Sequence, residues 1–179
     1  DLDSASSYRL VSYLSYVTKL IERLVCRQLM THLDANQLLP PEQSAYRQHH
    51  STETATLKIA SDVFDAVDSG HITVLALLDL SAAFDTVDHD ILLQRLSHAY
   101  GICGTALRWV QSFLTGRTLV VNFADQQSTR SALTRGVPKA LLLSRPLLFN
   151  LYTADVIRIA HSSAVHVHCY ADDLQLYIH

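Results

Sequence analysis

Leu20, Ile21, Leu24, Val25, Cys26, Leu29 and Leu33 recur at helical intervals, which predicts an amphipathic helix over roughly residues 16–34. Asn36 and then Pro40-Pro41 end it. A second helix is predicted from Ser51, a good N-cap, with Glu53 in the first turn, where a negative charge suits the helix dipole. Its inner stripe is Ala55, Ile59, Val63 and Val67, and Gly70 stops it. The pattern then changes. Ile72–Leu78 is a short, nearly all-apolar run ending at Asp79, the signature of a central strand covered on both faces. Helical spacing returns at about 89–99 and 104–115, the latter closed by Gly116. Thr118–Phe123 reads as a strand, with a turn at Asp125–Ser128 leading to another. A long apolar stretch from about Lys139 to Ile159 predicts a helix. The chain closes on Val165–Tyr170, a tight turn Ala171-Asp172-Asp173, and Leu174–Ile178, a β-hairpin with two carboxylates at its tip. Helices on one face of a mostly antiparallel sheet make the class α+β.

Composition narrows this picture. A chain of 179 residues with 49% hydrophobic and 17% charged residues is globular and has material for one sizeable core. No apolar run reaches the roughly 18–20 residues of a membrane span; the longest is interrupted by Ser144, Arg145 and Pro146. The acidic, polar start Asp1-Leu2-Asp3-Ser4 is unlike a signal peptide and reads as the middle of a longer frame. Cys26, Cys103 and Cys169 are odd in number and widely spaced, which suggests neither a disulfide framework nor a zinc site and fits an intracellular protein, in cytoplasm or nucleus. The formal net charge of −3 leaves little basic surface for a nucleic-acid duplex.

The candidate chemistry lies in carboxylates. Asp79 ends an apolar strand, and Asp172 and Asp173 sit at the turn of a hairpin with apolar arms. Charges at the edge of a core need compensation, and a divalent metal supplies it. Carboxylates converging from two strand ends would hold two Mg²⁺ ions about 3.5–4 Å apart. The plain alternatives stand beside this. Asp-Asp at a hairpin is ordinarily turn chemistry, and a single Asp after a strand is often a helix N-cap. His166 and His168 share a strand face, and without a third ligand they read as strand residues; His49-His50 reads as loop.

The wording of several segments goes further. Leu77-Leu78-Asp79-Leu80-Ser81-Ala82-Ala83-Phe84-Asp85-Thr86-Val87-Asp88-His89 resembles the first catalytic motif of reverse transcriptases of non-LTR (LINE-type) retrotransposons, especially the L2/CR1-like group. Tyr170-Ala171-Asp172-Asp173 matches the family's Tyr-x-Asp-Asp. Gln43-Ser44-Ala45-Tyr46-Arg47 with His50-Ser51-Thr52-Glu53-Thr54-Ala55 resembles its fingers segment, and Tyr8-Arg9 with Val11-Ser12 its opening motif. Gly101-Ile102, Gly116-Arg117-Thr118 and Leu151-Tyr152-Thr153-Ala154-Asp155 fit in order, so the likeness covers nearly the whole chain.

The resemblance implies a polymerase palm at about 71–179 and a fingers-like part at about 1–70, with no thumb. It implies an RNA-directed DNA polymerase using two Mg²⁺ ions, Mn²⁺ being an alternative, with an RNA template, a DNA primer and dNTPs as partners. Neither a membrane nor a stable protein partner is implied. Asp79 and Asp172 would be the principal metal ligands, Asp173 a weaker third, and Leu80 would offer its backbone carbonyl. Phe84 would crowd the sugar 2′ position, selecting deoxynucleotides and arguing against an RNA-dependent RNA polymerase; it also reads as a core aromatic. Arg9 would clamp the triphosphate through paired N–H donors, Arg47 would be a second contact to phosphate or to the template backbone, and Ser81 and Lys139 complete the nucleotide-binding set.

One segment departs. The family's Gly-Val-Pro-Gln-Gly-Ser is here Gly136-Val137-Pro138-Lys139-Ala140-Leu141, with one residue more before Pro146. A glycine lets backbone approach a nascent base pair, Lys139 puts a flexible charge where a neutral amide is usual, and an insertion turns a helix by about 100°. The alternative expectation is therefore a catalytically inactive, truncated retroelement remnant.

Overall fold

The computed structural model describes residues 12, 15–47, 49–80, 82–123, 126–138 and 144–179. Its helices are α1 (Tyr16–Ala35), α2 (Thr52–Asp68), α3 (His89–His98), α4 (Gly104–Leu114) and α5 (Ser144–Ser162). Its strands are β1 (Val74–Asp79), β2 (Thr118–Leu119), β3 (Asn122–Phe123), β4 (Gln126–Gln127), β5 (Ser131–Ala132), β6 (His166–Tyr170) and β7 (Asp173–Ile178). Among the described residues no helix is long and apolar enough to cross a membrane.

Local chemistry sets the helix ends. Ser15 accepts from the Thr18 amide at the start of α1. At α2, Ser51 Oγ accepts from the Thr54 amide while Thr54 Oγ1 accepts from the Ser51 amide, a reciprocal capping box. The predicted stripes need correction. In α1 the buried line is Glu22, Cys26 and Leu33, while Leu20, Ile21 and Leu24 are exposed. Cys26 and Leu33 of the predicted stripe are buried as expected, but they are joined by Glu22, at steps of four and seven residues, on a helix that carries apolar residues on more than one side and packs against α5. In α2, Ala55 and Ala66 are buried and Val67 is exposed.

Strands β1, β7 and β6 form an antiparallel sheet in the order β1-β7-β6. β1 is thus an edge strand with every residue exposed, not the doubly covered central strand its apolar run predicts. The run gives the capacity for burial but not the neighbours; β7, which alternates Leu174 and Leu176 with Gln175 and Tyr177, holds the centre. One sheet face carries Val167, Cys169 and Leu174 against Ile157 and Ala160 of α5. By strand alternation the opposite face carries Asp79, Asp173, Gln175, His168 and Tyr177. α2 lies beside β6, and Tyr177 Oη donates to Asp62 from this second face.

The larger core lies among α3, α4 and α5, where Leu92, Leu96, Leu114, Phe149 and Leu151 are almost inaccessible. The predicted strand Thr118–Phe123 is divided: β2 pairs with β5 and β3 with β4. Gln126 and Gln127, in the middle of the predicted turn Asp125–Ser128, are strand β4, paired with Phe123 and Asn122. The predicted helix over Lys139–Ile159 is seen from Ser144 and continues to Ser162, and its first five positions lie outside the described residues.

Candidate active site

The sheet brings the strand-end carboxylates together in sequence register. Asp79, last in β1, pairs directly with Asp173, first in β7. Cross-strand partners share a face at roughly 4.5–5.5 Å between Cβ atoms, and like charges placed so are destabilising. Both residues are exposed, and Asp172, in the turn, is half-buried. The Leu80 amide donates to the Asp172 carbonyl at 3.3 Å, so the residue after Asp79 is tied to the turn itself. Ala171 holds that turn with φ +58°, a left-handed conformation.

Two facing carboxylates and a third one residue away are an all-oxygen donor set of the kind Mg²⁺ takes. A cation would relieve the repulsion that this register sets between Asp79 and Asp173. Among the described residues, however, no three His, Cys, Asp or Glu side chains are gathered closely enough to hold a metal ion, so the three-carboxylate convergence expected from sequence is not preassembled.

After Leu80 the chain turns through Ala82, at φ +52°, into a short 3₁₀ turn Ala83–Asp85. The Phe84 ring lies 4.6 Å from that of Phe149, which is 2% exposed, and packs on the larger core while remaining half-buried. The Gly136-Val137-Pro138 segment is laced to this turn. Gly136 N donates to Val87 O at 2.8 Å, Val137 N to Phe84 O at 2.9 Å, and buried His89 Nε2 meets Gly136 O at 2.9 Å. The familiar half of the departing motif is therefore built as a brace behind Phe84.

The expected nucleotide contacts divide. Arg9, Ser81 and Lys139 lie outside the described residues. Arg47 Nη1 donates to Pro40 O at 2.8 Å and Gln43 O at 3.4 Å, so its guanidinium fastens its own loop. The same residue lines a cavity of about 330 Å³ together with Arg23, Arg27 and Tyr46. Sequence reasoning gave no role to Gln43, which is 5% exposed beside the hairpin. A single polar residue carries no spacing signal that would reveal this burial.

Burial, aided by Glu22 and Glu42, pushes the Cys26 and Cys169 thiols up to about 12, which leaves neither as a nucleophile near neutral pH. His168 shares its face with His166 as expected, is buried, and meets Ser44 Oγ at 3.0 Å through Nε2. Burial lowers its pKa; Lys58 and His50 act in the same direction, and Asp62 and Glu42 oppose them. A lowered imidazole pKa means the unfolded chain takes up the proton more readily. The contribution is complete above the ordinary value of 6.5 and is lost as pH falls through the folded value. Urea titrations at about pH 7.5 and about pH 5.5 are expected to show a falling midpoint, and a smaller fall in His168→Gln. Equal falls in both proteins would assign the acid sensitivity elsewhere.

The family model described as "Reverse transcriptase (RNA-dependent DNA polymerase)" matches residues 2–179. The chain belongs to the reverse transcriptase family. The "Probable RNA-directed DNA polymerase from transposon BS" of Drosophila melanogaster is 29% identical over 97% of this chain and 19% of its own length. The "RNA-directed DNA polymerase from mobile element jockey" of the same organism is 28% identical over 93% of this chain and 18% of its own length. This reverse transcriptase chain thus spans under a fifth of the length of those relatives. The structure of apo telomerase from Candida tropicalis superposes with a TM-score of 0.63 at 14% identity, covering 93% of this chain and 38% of the telomerase. That likeness shows the polymerase fold, here a partial palm of antiparallel sheet and helices.

Proposed function

We propose that this reverse transcriptase domain extends a DNA 3′ end on an RNA template by two-metal nucleotidyl transfer, using Asp79, Asp172 and Asp173. The observation that carries the reading is the direct register of Asp79 with Asp173 beside the Asp172 turn, within a chain of this family. The wording of residues 77–89 supports the finer assignment to an L2/CR1-like, non-LTR element. In this reading residues of about 1–70 form a fingers-like part and about 71–179 the palm, acting inside the cell on RNA, primer and dNTPs, with no membrane or stable protein partner.

The three carboxylates and the Leu80 carbonyl would hold the metals, Mg²⁺ or Mn²⁺. Bound there, a divalent ion lowers the pKa of the attacking hydroxyl and neutralises the leaving pyrophosphate. The protein's own part is placement. Asp79 and Asp173 are fixed by strand pairing, and Asp172 by the Leu80 hydrogen bond. Phe84, backed by Phe149 and the Gly136–Pro138 brace, would exclude a 2′-hydroxyl. Arg9, Arg47, Ser81 and Lys139 would meet the triphosphate or template, with Arg47 reaching from a loop it also stabilises.

Primer extension on an RNA template with Mg²⁺ tests the proposal. Extension is expected with this chain and not with its Asp172→Asn variant. No metal-dependent extension would favour the inactive-remnant alternative. A product made equally well by both proteins would point to a contaminating polymerase.

A further inference from the structure

We propose that Gln43 is a positioning residue whose side-chain carbonyl holds the turn bearing Asp172 and Asp173. The inference rests on the metal-holding role proposed for those carboxylates. Gln43 Oε1 accepts from two buried amides, Ala45 N at 3.0 Å and Ala171 N at 3.1 Å. The first donor belongs to the fingers-like ribbon and the second to the hairpin turn, so one oxygen joins parts of the chain far apart in sequence.

The surrounding backbone makes Gln43 a fixed anchor. Residues 42–45 run beside β6 as an added ribbon, with Gln43 opposite Cys169 in a parallel bridge. Ser44 N donates to Cys169 O and Cys169 N to Glu42 O, each at 2.9 Å. Asn150 Nδ2 donates to Ala45 O at 3.2 Å, which ties the ribbon to α5. Arg47 closes the loop onto Pro40 O and Gln43 O.

The turn needs such an anchor. Ala171 is left-handed at φ +58°, where an L side chain is disfavoured, and β6 and β7 are already paired up to Tyr170 and Asp173. Only Ala171 and Asp172 lie between the paired residues. Gln43 holds the amide before Asp172, and Leu80 N holds the carbonyl after it. The catalytic candidate therefore sits between two tethers, one from the ribbon and one from the strand end next to Asp79. Support of this kind around metal ligands typically changes affinity by about 10–100-fold when removed.

The test uses Gln43→Met, which keeps length and volume but has no oxygen acceptor, and Gln43→Glu, which keeps one. Gln43→Asn, one methylene shorter, repeats the loss of reach should the Met variant fold poorly. Hydrogen exchange at the Ala171 amide and Mn²⁺ affinity by water-proton relaxation are measured on each. Met and Asn variants are expected to exchange Ala171 roughly five- to ten-fold faster, the effect of one net hydrogen bond. They are also expected to bind Mn²⁺ about ten-fold more weakly, while Gln43→Glu keeps its protection. Unchanged Ala171 exchange would overturn the tether. Faster exchange with unchanged Mn²⁺ affinity would overturn the positioning role. Failure of the unsubstituted chain to bind Mn²⁺ would sink the metal reading instead, with the exchange result still deciding whether Gln43 holds the turn.

Discussion

Asp79→Asn is expected to make this protein more stable and to abolish metal-dependent primer extension. The two effects come from one observation. Asp79 faces Asp173 across neighbouring strands, and both are exposed. Removing one of two like charges in a direct cross-strand pair gains roughly 0.2–1 kcal/mol, toward the lower end where salt screens exposed charges. The same substitution takes away a proposed metal ligand. If that costs about 4 kcal/mol of transition-state stabilisation, extension falls about 10³-fold, at 1.36 kcal/mol for each tenfold step. Denaturation midpoints at low and high salt, read beside extension rates, check both halves. A variant that is less stable, or whose gain is insensitive to salt, would contradict the repulsion argument. A variant that still extends primers would remove Asp79 from the catalytic set. Opposed changes in stability and activity are what a functional site built on paired like charges should show.

The parts of this architecture readable in sequence are those whose cause is local. Ser51 caps α2 because a hydroxyl three residues before Thr54 can close a reciprocal pair, and nothing distant is involved. The β6–β7 hairpin follows from two apolar arms around a short turn, so its position was legible, although Asp173 pairs as the first residue of β7 instead of lying in the turn, and the left-handed turn residue is Ala171 and not an Asp. What failed depends on partners. An apolar run cannot say which strand lies beside it, and β1 emerged at the sheet edge instead of its centre. The α1 stripe held at Cys26 and Leu33 but not at Leu20, Ile21 and Leu24, because α1 offers apolar residues on several sides and packs only one of them against α5. The placement of Asp79 opposite Asp173 required the strand register, which is a tertiary fact. Gln43 is the extreme case, since its two amide partners become visible only after the ribbon and the turn are brought together. The resemblance to a family named the carboxylates; the chain's own fold supplied the residue that holds their turn.

Gly136→Ala is expected to be the most destabilising glycine-to-alanine substitution among the described residues, since an added Cβ meets nothing within 4 Å at the other four glycines. Gly136 has φ +86°, which an L residue rarely adopts, so backbone strain of about 1–2 kcal/mol arises before any contact is made. An added Cβ would then stand 2.9 Å from Asp85 O, 3.1 Å from Asp85 Cα and 3.2 Å from Asp85 C. These are backbone atoms of the short turn after Phe84, not the movable end of a side chain. Relief would require separating Gly136 from that turn, against its hydrogen bonds to Val87 O and from His89 and against Val137 N to Phe84 O. Overpacking of this kind costs roughly 1–3 kcal/mol more, giving about 2–5 kcal/mol in all. Urea denaturation should show a midpoint shift of that size with an unchanged slope, and exchange at the Val137 amide should rise first. A shift below about 1 kcal/mol would mean that the turn yields freely, and Phe84 would then lack a rigid support. Glycine at this position is therefore required by the close approach of two backbones. Its effect reaches the proposed site through Phe84, whose carbonyl accepts from Val137 N and whose ring packs on Phe149.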